Sequence, residues 1–267
     1  MTKKYRISNS KENTIEFNGR TLHRIVALKD FGVVRKGEFG GYVESEKNLS
    51  QDGKCWIFWN AKVLQEARVI DSAQVWHFAV VDEYAEIRDN AIVSEQATVR
   101  GYSRIKDKAN VFGKAVVDGY AKVIDKAKVY GDARIYGDAT IQDHARVRDN
   151  AHIYGNAFVS GHSYIRNDAR VFGNAEIGDY AIIEGEAQIY AFAKVFDYAS
   201  VKGKENICAD REIYGEQVIG EDGDDGVSTR LRKLIHDEQK RPFCREDHYN
   251  FLKHEFLDKK VKTIVKI

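Results

Sequence analysis

Histidine gains and loses its proton near neutral pH, and three of them fall in the middle of this chain: His144, His152 and His162. An imidazole there can act as a general base or ligate a metal. His144 and His162 are eighteen residues apart, but no third ligand accompanies them, so a surface pair is expected and no metal. His152 has partners at the same interval, with Arg134 eighteen residues before it and Arg170 eighteen after it. Two guanidiniums flanking an imidazole can hold a phosphate or a carboxylate. Rings recur at this interval too: Tyr84, Tyr102 and Tyr120 in one series, and Tyr136, Tyr154, Phe172 and Tyr190 in another. Such a run of rings either stabilises stacked strands or offers a contact surface to a subunit, to the C-terminal segment or to a flat ligand. The chain has no GxSxG, HExxH or CxxC motif, and its glycines follow a six-residue register rather than a phosphate-binding one. Cys55, Cys208 and Cys244 are widely spaced and odd in number, which argues against a disulfide framework and for a reduced, cytoplasmic setting.

Composition narrows the classes further. The chain has 267 residues, 43% of them hydrophobic, enough for a substantial core. Forty-two Lys and Arg balance forty-one Asp and Glu, a net charge of +1 that gives no support for nucleic-acid binding. No apolar run is long enough for a membrane span. The N-terminal MTKKYRISNSKENT has no apolar stretch of the secretory kind.

The eighteen-residue interval comes from a shorter repeat. From Ala61 to Ala199 a small residue recurs every six positions, and only Ser103 and Ser163 among the 24 are not alanine. Two residues after each stands a valine or isoleucine, from Val63 to Val201, without exception. Period six scatters residues around a helix, whereas a spacing of two within each unit puts both side chains on one face of a strand. The following positions, rich in Gly, Asp and Asn, suit a bend with positive φ. Each hexapeptide is therefore one short strand and one corner. Three close a triangle of eighteen residues, and stacked triangles give parallel sheets on three sides.

The pattern A-x-[VI]-x-[GD]-x resembles the hexapeptide-repeat, left-handed parallel β-helix family, and the handedness is what that resemblance implies. Before the repeat, Phe39-Gly-Gly-Tyr-Val43, Asn48-Leu-Ser50 and Gly53-Lys-Cys-Trp-Ile57 resemble the entry segment of the YdcK-like hexapeptide-repeat proteins. The expected fold is an all-β solenoid of about eight to nine triangular coils of eighteen residues, with an N-terminal β cap and a C-terminal helical segment. The expected boundaries are 1–53 for the cap and entry segment, 54–220 for the repeat and 221–267 for an acidic hinge and helical extension. Thr14–Leu28 reads as a hairpin around Asn18-Gly19 that covers the first coil. After Val201, Glu205, Arg211 and Gln217 replace alanine, so a widened or partial last coil is expected. Residues 221–226 read as a solvated acidic linker, 228–240 and 245–260 as helices, and 261–267 as a strand, together a cap or an oligomerisation element.

The inward positions are core, so function must lie outside. One corner column reads Lys108, Lys126, His144, His162, Tyr180 and Tyr198. Beside Arg134, His152 and Arg170 runs a column of Asp132, Asn150 and Asp168, whose carboxylates could pair with the arginines. The expected function is that of a rigid binding or scaffold protein, acting through its aromatic edge in a homo-oligomer, trimer or dimer, or on a protein or small-molecule ligand. The resemblance also implies an alternative. Acyltransferases of the hexapeptide superfamily bind acyl-CoA between prisms and use a histidine base toward a hydroxyl or amine. His152, His144 and His162 would then be the catalytic candidates and acyl-CoA the cofactor. Two features depart from that pattern. No loop interrupts 61–201, and the glycine falls two residues after the branched position rather than directly after it.

Overall fold

The computed structural model describes residues 3–220. The chain divides into two compact units, Met1–Asp222 and Gly223–Ile267. The expectations for the linker, helices and tail of 221–267, and for Cys244, lie outside the described residues.

Each hexapeptide forms a two-residue strand, as at Lys62–Val63, Arg68–Val69 and Gln74–Val75. Strands eighteen residues apart pair in parallel and in register, so Arg134 lies beside His152 and His152 beside Arg170. Three walls result. Wall one runs from Lys62–Val63 to Asn206–Ile207, wall two from Arg68–Val69 to Glu212–Ile213, and wall three from Trp56–Ile57 to Val218–Ile219. Wall three has ten strands, so the left-handed solenoid completes nine turns and the first strand of a tenth.

The corners explain the repeat. From Trp59 to Gly215 every sixth residue has positive φ, whether it is Gly, Asp, Asn, Ala or a larger side chain. An ordinary L-residue pays about 1–2 kcal/mol for this conformation, which is why glycine and Asp dominate the position. The aspartates recover part of that cost. The amide of Asp89 donates to Asp71 Oδ2 at 3.2 Å, Asp107 to Asp89 at 3.3 Å and Asp143 to Asp125 at 3.3 Å. Each carboxylate thus ties its corner to the next turn. Inside, Ala133, Ile135, Ala151 and Ile153 are wholly buried, as are their counterparts along the shaft. The two serines in the alanine series are also fully buried, and each hydroxyl donates to a corner carbonyl: Ser103 to Arg100 O at 2.6 Å, Ser163 to Ser160 O at 2.7 Å. A serine fits there because a carbonyl three residues back takes its proton.

The first coil is closed by four strands: β1 (Tyr5–Ile7), β2 (Thr14–Phe17), β3 (Arg20–Ala27) and β4 (Phe39–Val43). β2 and β3 form the expected hairpin, with Asn18 and Gly19 both at positive φ. β3 pairs antiparallel with β1 and β4, and β4 pairs in parallel with Lys62–Val63, so the cap extends wall one. The Gly40-Gly41 pair is a close approach. A Cβ at Gly40 would lie 2.6 Å from Ile25 Cγ1, and one at Gly41 2.5 Å from the carbonyl oxygen of Ala61. Beneath the cap Lys4 is buried, donating to the carbonyl oxygens of Asp52 and Cys55 at 3.0 and 3.1 Å and lying 3.2 Å from Cys55 Sγ.

At the other end the last coil is partial, as expected, because the described residues end on the first strand of a tenth turn, but it is not widened. Gln188 pairs with Asn206, Lys194 with Glu212 and Ser200 with Val218, all at the unchanged eighteen-residue interval. Arg211 and Gln217 can replace alanine because their positions on the last turn are exposed. The corner backbone, not the alanine, holds the register there.

Candidate functional site

The aromatic edge lies at the corner between walls one and two. Its first-corner column is Gly101, Gly119, Gly137, Gly155 and Gly173, all at positive φ. The residue before each glycine leans toward wall one, and the residue after it toward wall two. Tyr84, Tyr102 and Tyr120 follow that column, with ring centroids 4.6 and 5.0 Å apart and planes within 6° of parallel. Tyr136, Tyr154, Phe172 and Tyr190 precede it, stacked at 4.8, 4.7 and 4.9 Å. The stripe therefore crosses from one side of the corner to the other between Tyr120 and Tyr136. The spacing is that of the strands themselves, so the backbone sets the stacking. Tyr84, Tyr102 and Tyr120 keep 54%, 49% and 57% of their surface exposed. Rings stacked face to face present only their edges and hydroxyls to solvent. Such a surface suits a broad contact and leaves no slot for an intercalated ring. Burial, then the neighbouring Tyr154, raises the phenol of Tyr136, while Arg170 and Arg134 oppose the shift.

Arg134, His152 and Arg170 stand at the outward strand positions of wall one, beside this second ladder. The ring of His152 meets that of Tyr136 edge-on, with centroids 6.4 Å apart at 84°. Burial, then Arg134 and Arg170, holds the His152 imidazole below its ordinary pKa, and Asp168 acts the other way. The expected pairing of these arginines with Asp132 and Asp168 does not form. Neither arginine makes an ion pair among the described residues, and Asp168 Oδ1 accepts from Asn150 Nδ2 at 3.1 Å instead. By contrast, Arg100 on the adjoining corner bonds Asp118 one turn away at 2.8 Å.

His144 and His162 stack as the sequence interval requires, with centroids 4.5 Å apart, and the ladder continues through Tyr180 and Tyr198 at 5.0 and 4.9 Å. Burial is the first cause that lowers both imidazoles; His162 is next for His144, and Arg146 next for His162. This corner lies between walls two and three, so His144 and His162 do not join His152. No cluster of three His, Cys, Asp or Glu side chains able to hold a metal occurs among the described residues.

Sequence reasoning missed one polar column. At the corner between walls three and one, Arg166, Glu184 and Lys202 are nearly buried. Arg166 Nε donates to Glu184 Oε2 at 2.6 Å, and Lys202 Nζ lies 3.6 Å from Glu184 Oε1. The eighteen-residue interval between alternating charges was the available signal; their burial was not.

No protein-family model matches the chain, and no curated protein matches it. Among the described residues no helix is long and apolar enough to cross a membrane.

Proposed function

We propose that this chain is a rigid binding or scaffold protein whose working surface is the aromatic edge, and that the edge joins one copy to another. The single observation that carries this reading is the two stacked ladders, Tyr84 to Tyr120 and Tyr136 to Tyr190, with Tyr84, Tyr102 and Tyr120 about half exposed and Tyr136 37% exposed. Exposed tyrosines contribute large, pre-ordered contact area at little entropic cost, and closed symmetric assembly is the commonest way for such a patch to be covered. The entry block Phe39–Val43 and Gly53–Ile57 supports placing the chain with the YdcK-like hexapeptide-repeat proteins. The acyltransferase alternative asks His152, His144 or His162 to act as a base. Among the described residues His152 faces a tyrosine edge with no carboxylate orienting its ring, a geometry that favours binding over catalysis.

Sedimentation velocity tests the proposal. The wild-type chain is expected to assemble. The triple variant Tyr84→Ser, Tyr102→Ser, Tyr120→Ser should sediment as a monomer with an unchanged far-ultraviolet spectrum. A monomeric wild type, or a variant that assembles equally well, would overturn it.

A further inference from the structure

We infer that Arg134, His152 and Arg170 form a binding site for a phosphate-type dianion on the outer face of wall one. This goes beyond the assembly reading and does not depend on it. Three successive turns each place one cationic or protonatable side chain at the same outward position, held in register by the pairing of Arg134 with His152 and His152 with Arg170. The two arginine Cα atoms therefore stand about two strand spacings apart, roughly 10 Å, with the imidazole between them. Guanidiniums on long side chains can converge from both sides on one tetrahedral anion lying over His152.

The surroundings leave these groups available. Both arginines are exposed and make no ion pair among the described residues, although Asp132 and Asp168 lie on the neighbouring corner. Asp168 is turned to Asn150. On the opposite flank the Tyr136 ring stands edge-on to His152. The floor is rigid, because Ala133, Ile135, Ala151, Ile153, Ala169 and Val171 beneath it are wholly buried.

The charges facing His152 are Arg134 and Arg170, which hold its proton off, and Asp168, which favours it. A bound dianion neutralises the two guanidiniums, so binding should raise the His152 pKa.

The experiment is an NMR titration of the His152 ring in the full chain with inorganic phosphate, sodium chloride holding ionic strength constant. A saturable shift of the His152 resonances with a raised pKa is expected. Arg134→Gln and Arg170→Gln should each weaken binding about tenfold, the net worth of one charge-assisted contact, and the double variant should show no saturation. Arg104→Gln, an exposed arginine on wall two, should leave binding unchanged. Acetate should bind much more weakly than phosphate. The inference is overturned if phosphate does no more than chloride, if the double variant still saturates, or if acetate binds equally well. None of these outcomes bears on whether the ring ladders assemble the protein.

Discussion

Gly155 offers the sharpest test of why the corners have the sequence they do. Its φ is +69°, and a Cβ there would lie 3.0 Å from the amide nitrogen of Gly173 and 3.1 Å from its carbonyl oxygen. Both atoms are backbone, and the carbonyl oxygen accepts from the amide of Asn156 at 2.7 Å, so neither can step aside without moving a turn. Gly155→Ala adds the left-handed cost of about 1–2 kcal/mol and the strain of that contact. A total of about 2 kcal/mol is expected, a fall in melting temperature of about 4–8 °C for a domain of this size. The column itself supports this scale, because Ala191 occupies the same position two turns on at φ 58° and is tolerated. Gly155→Asn should cost less than alanine, since Asn enters this region more readily, and Gly155→Val should cost the most. Thermal and urea unfolding of the three variants give the order directly. If alanine is neutral, or if Asn and Val cost the same, the corner conformation is not what selects glycine.

Other perturbations probe different parts of the molecule. Ala133→Leu forces a larger side chain into a fully buried corner and should destabilise by about 1–3 kcal/mol in urea unfolding, while its surface counterpart Asp132→Leu should not. Glu184→Ala leaves Arg166 and Lys202 without their shared carboxylate in a nearly buried column, and a loss of about 3–5 kcal/mol is expected by the same assay. Stability should also fall on acidification through the ordinary histidine range. His144 and His162 have lowered pKa values in the folded chain, so the unfolded chain binds their protons first, and stability present above the unfolded pKa is lost as pH falls toward the folded values. Melting temperatures of His144→Gln, His162→Gln measured across that range should show a shallower dependence than wild type.

The fold was legible because one unit is written 24 times without a slip between Ala61 and Val201. Ala, Val and Ile at fixed phase declare which side faces inward, and the register then brings Tyr136 over Tyr154 and His144 over His162 without further information. What the register cannot say is how side chains in neighbouring columns share partners. Asp132 and Asp168 sit beside Arg134 and Arg170 in the sequence pattern, yet Asp168 accepts from Asn150, and neither arginine makes an ion pair among the described residues. The last coil is partial as expected, but the widening expected beside it does not occur, for a related reason. Glu205, Arg211 and Gln217 break the alanine series, but positive φ at Gly203, Ala209 and Gly215 keeps the bends, and the backbone pairing carries the register onward. The buried run of Arg166, Glu184 and Lys202 escaped notice because burial, unlike spacing, is not written in a repeat.

The claim on which the functional account rests is that the ring ladders are covered in the working protein. Covalent footprinting of tyrosine in solution, read by mass spectrometry, measures this directly. In the single chain Tyr84, Tyr102 and Tyr120 are about half exposed, as is Tyr214 far along the solenoid. The account predicts that the first three are protected while Tyr214 is labelled freely. Labelling of all four in proportion to their single-chain exposure would contradict it.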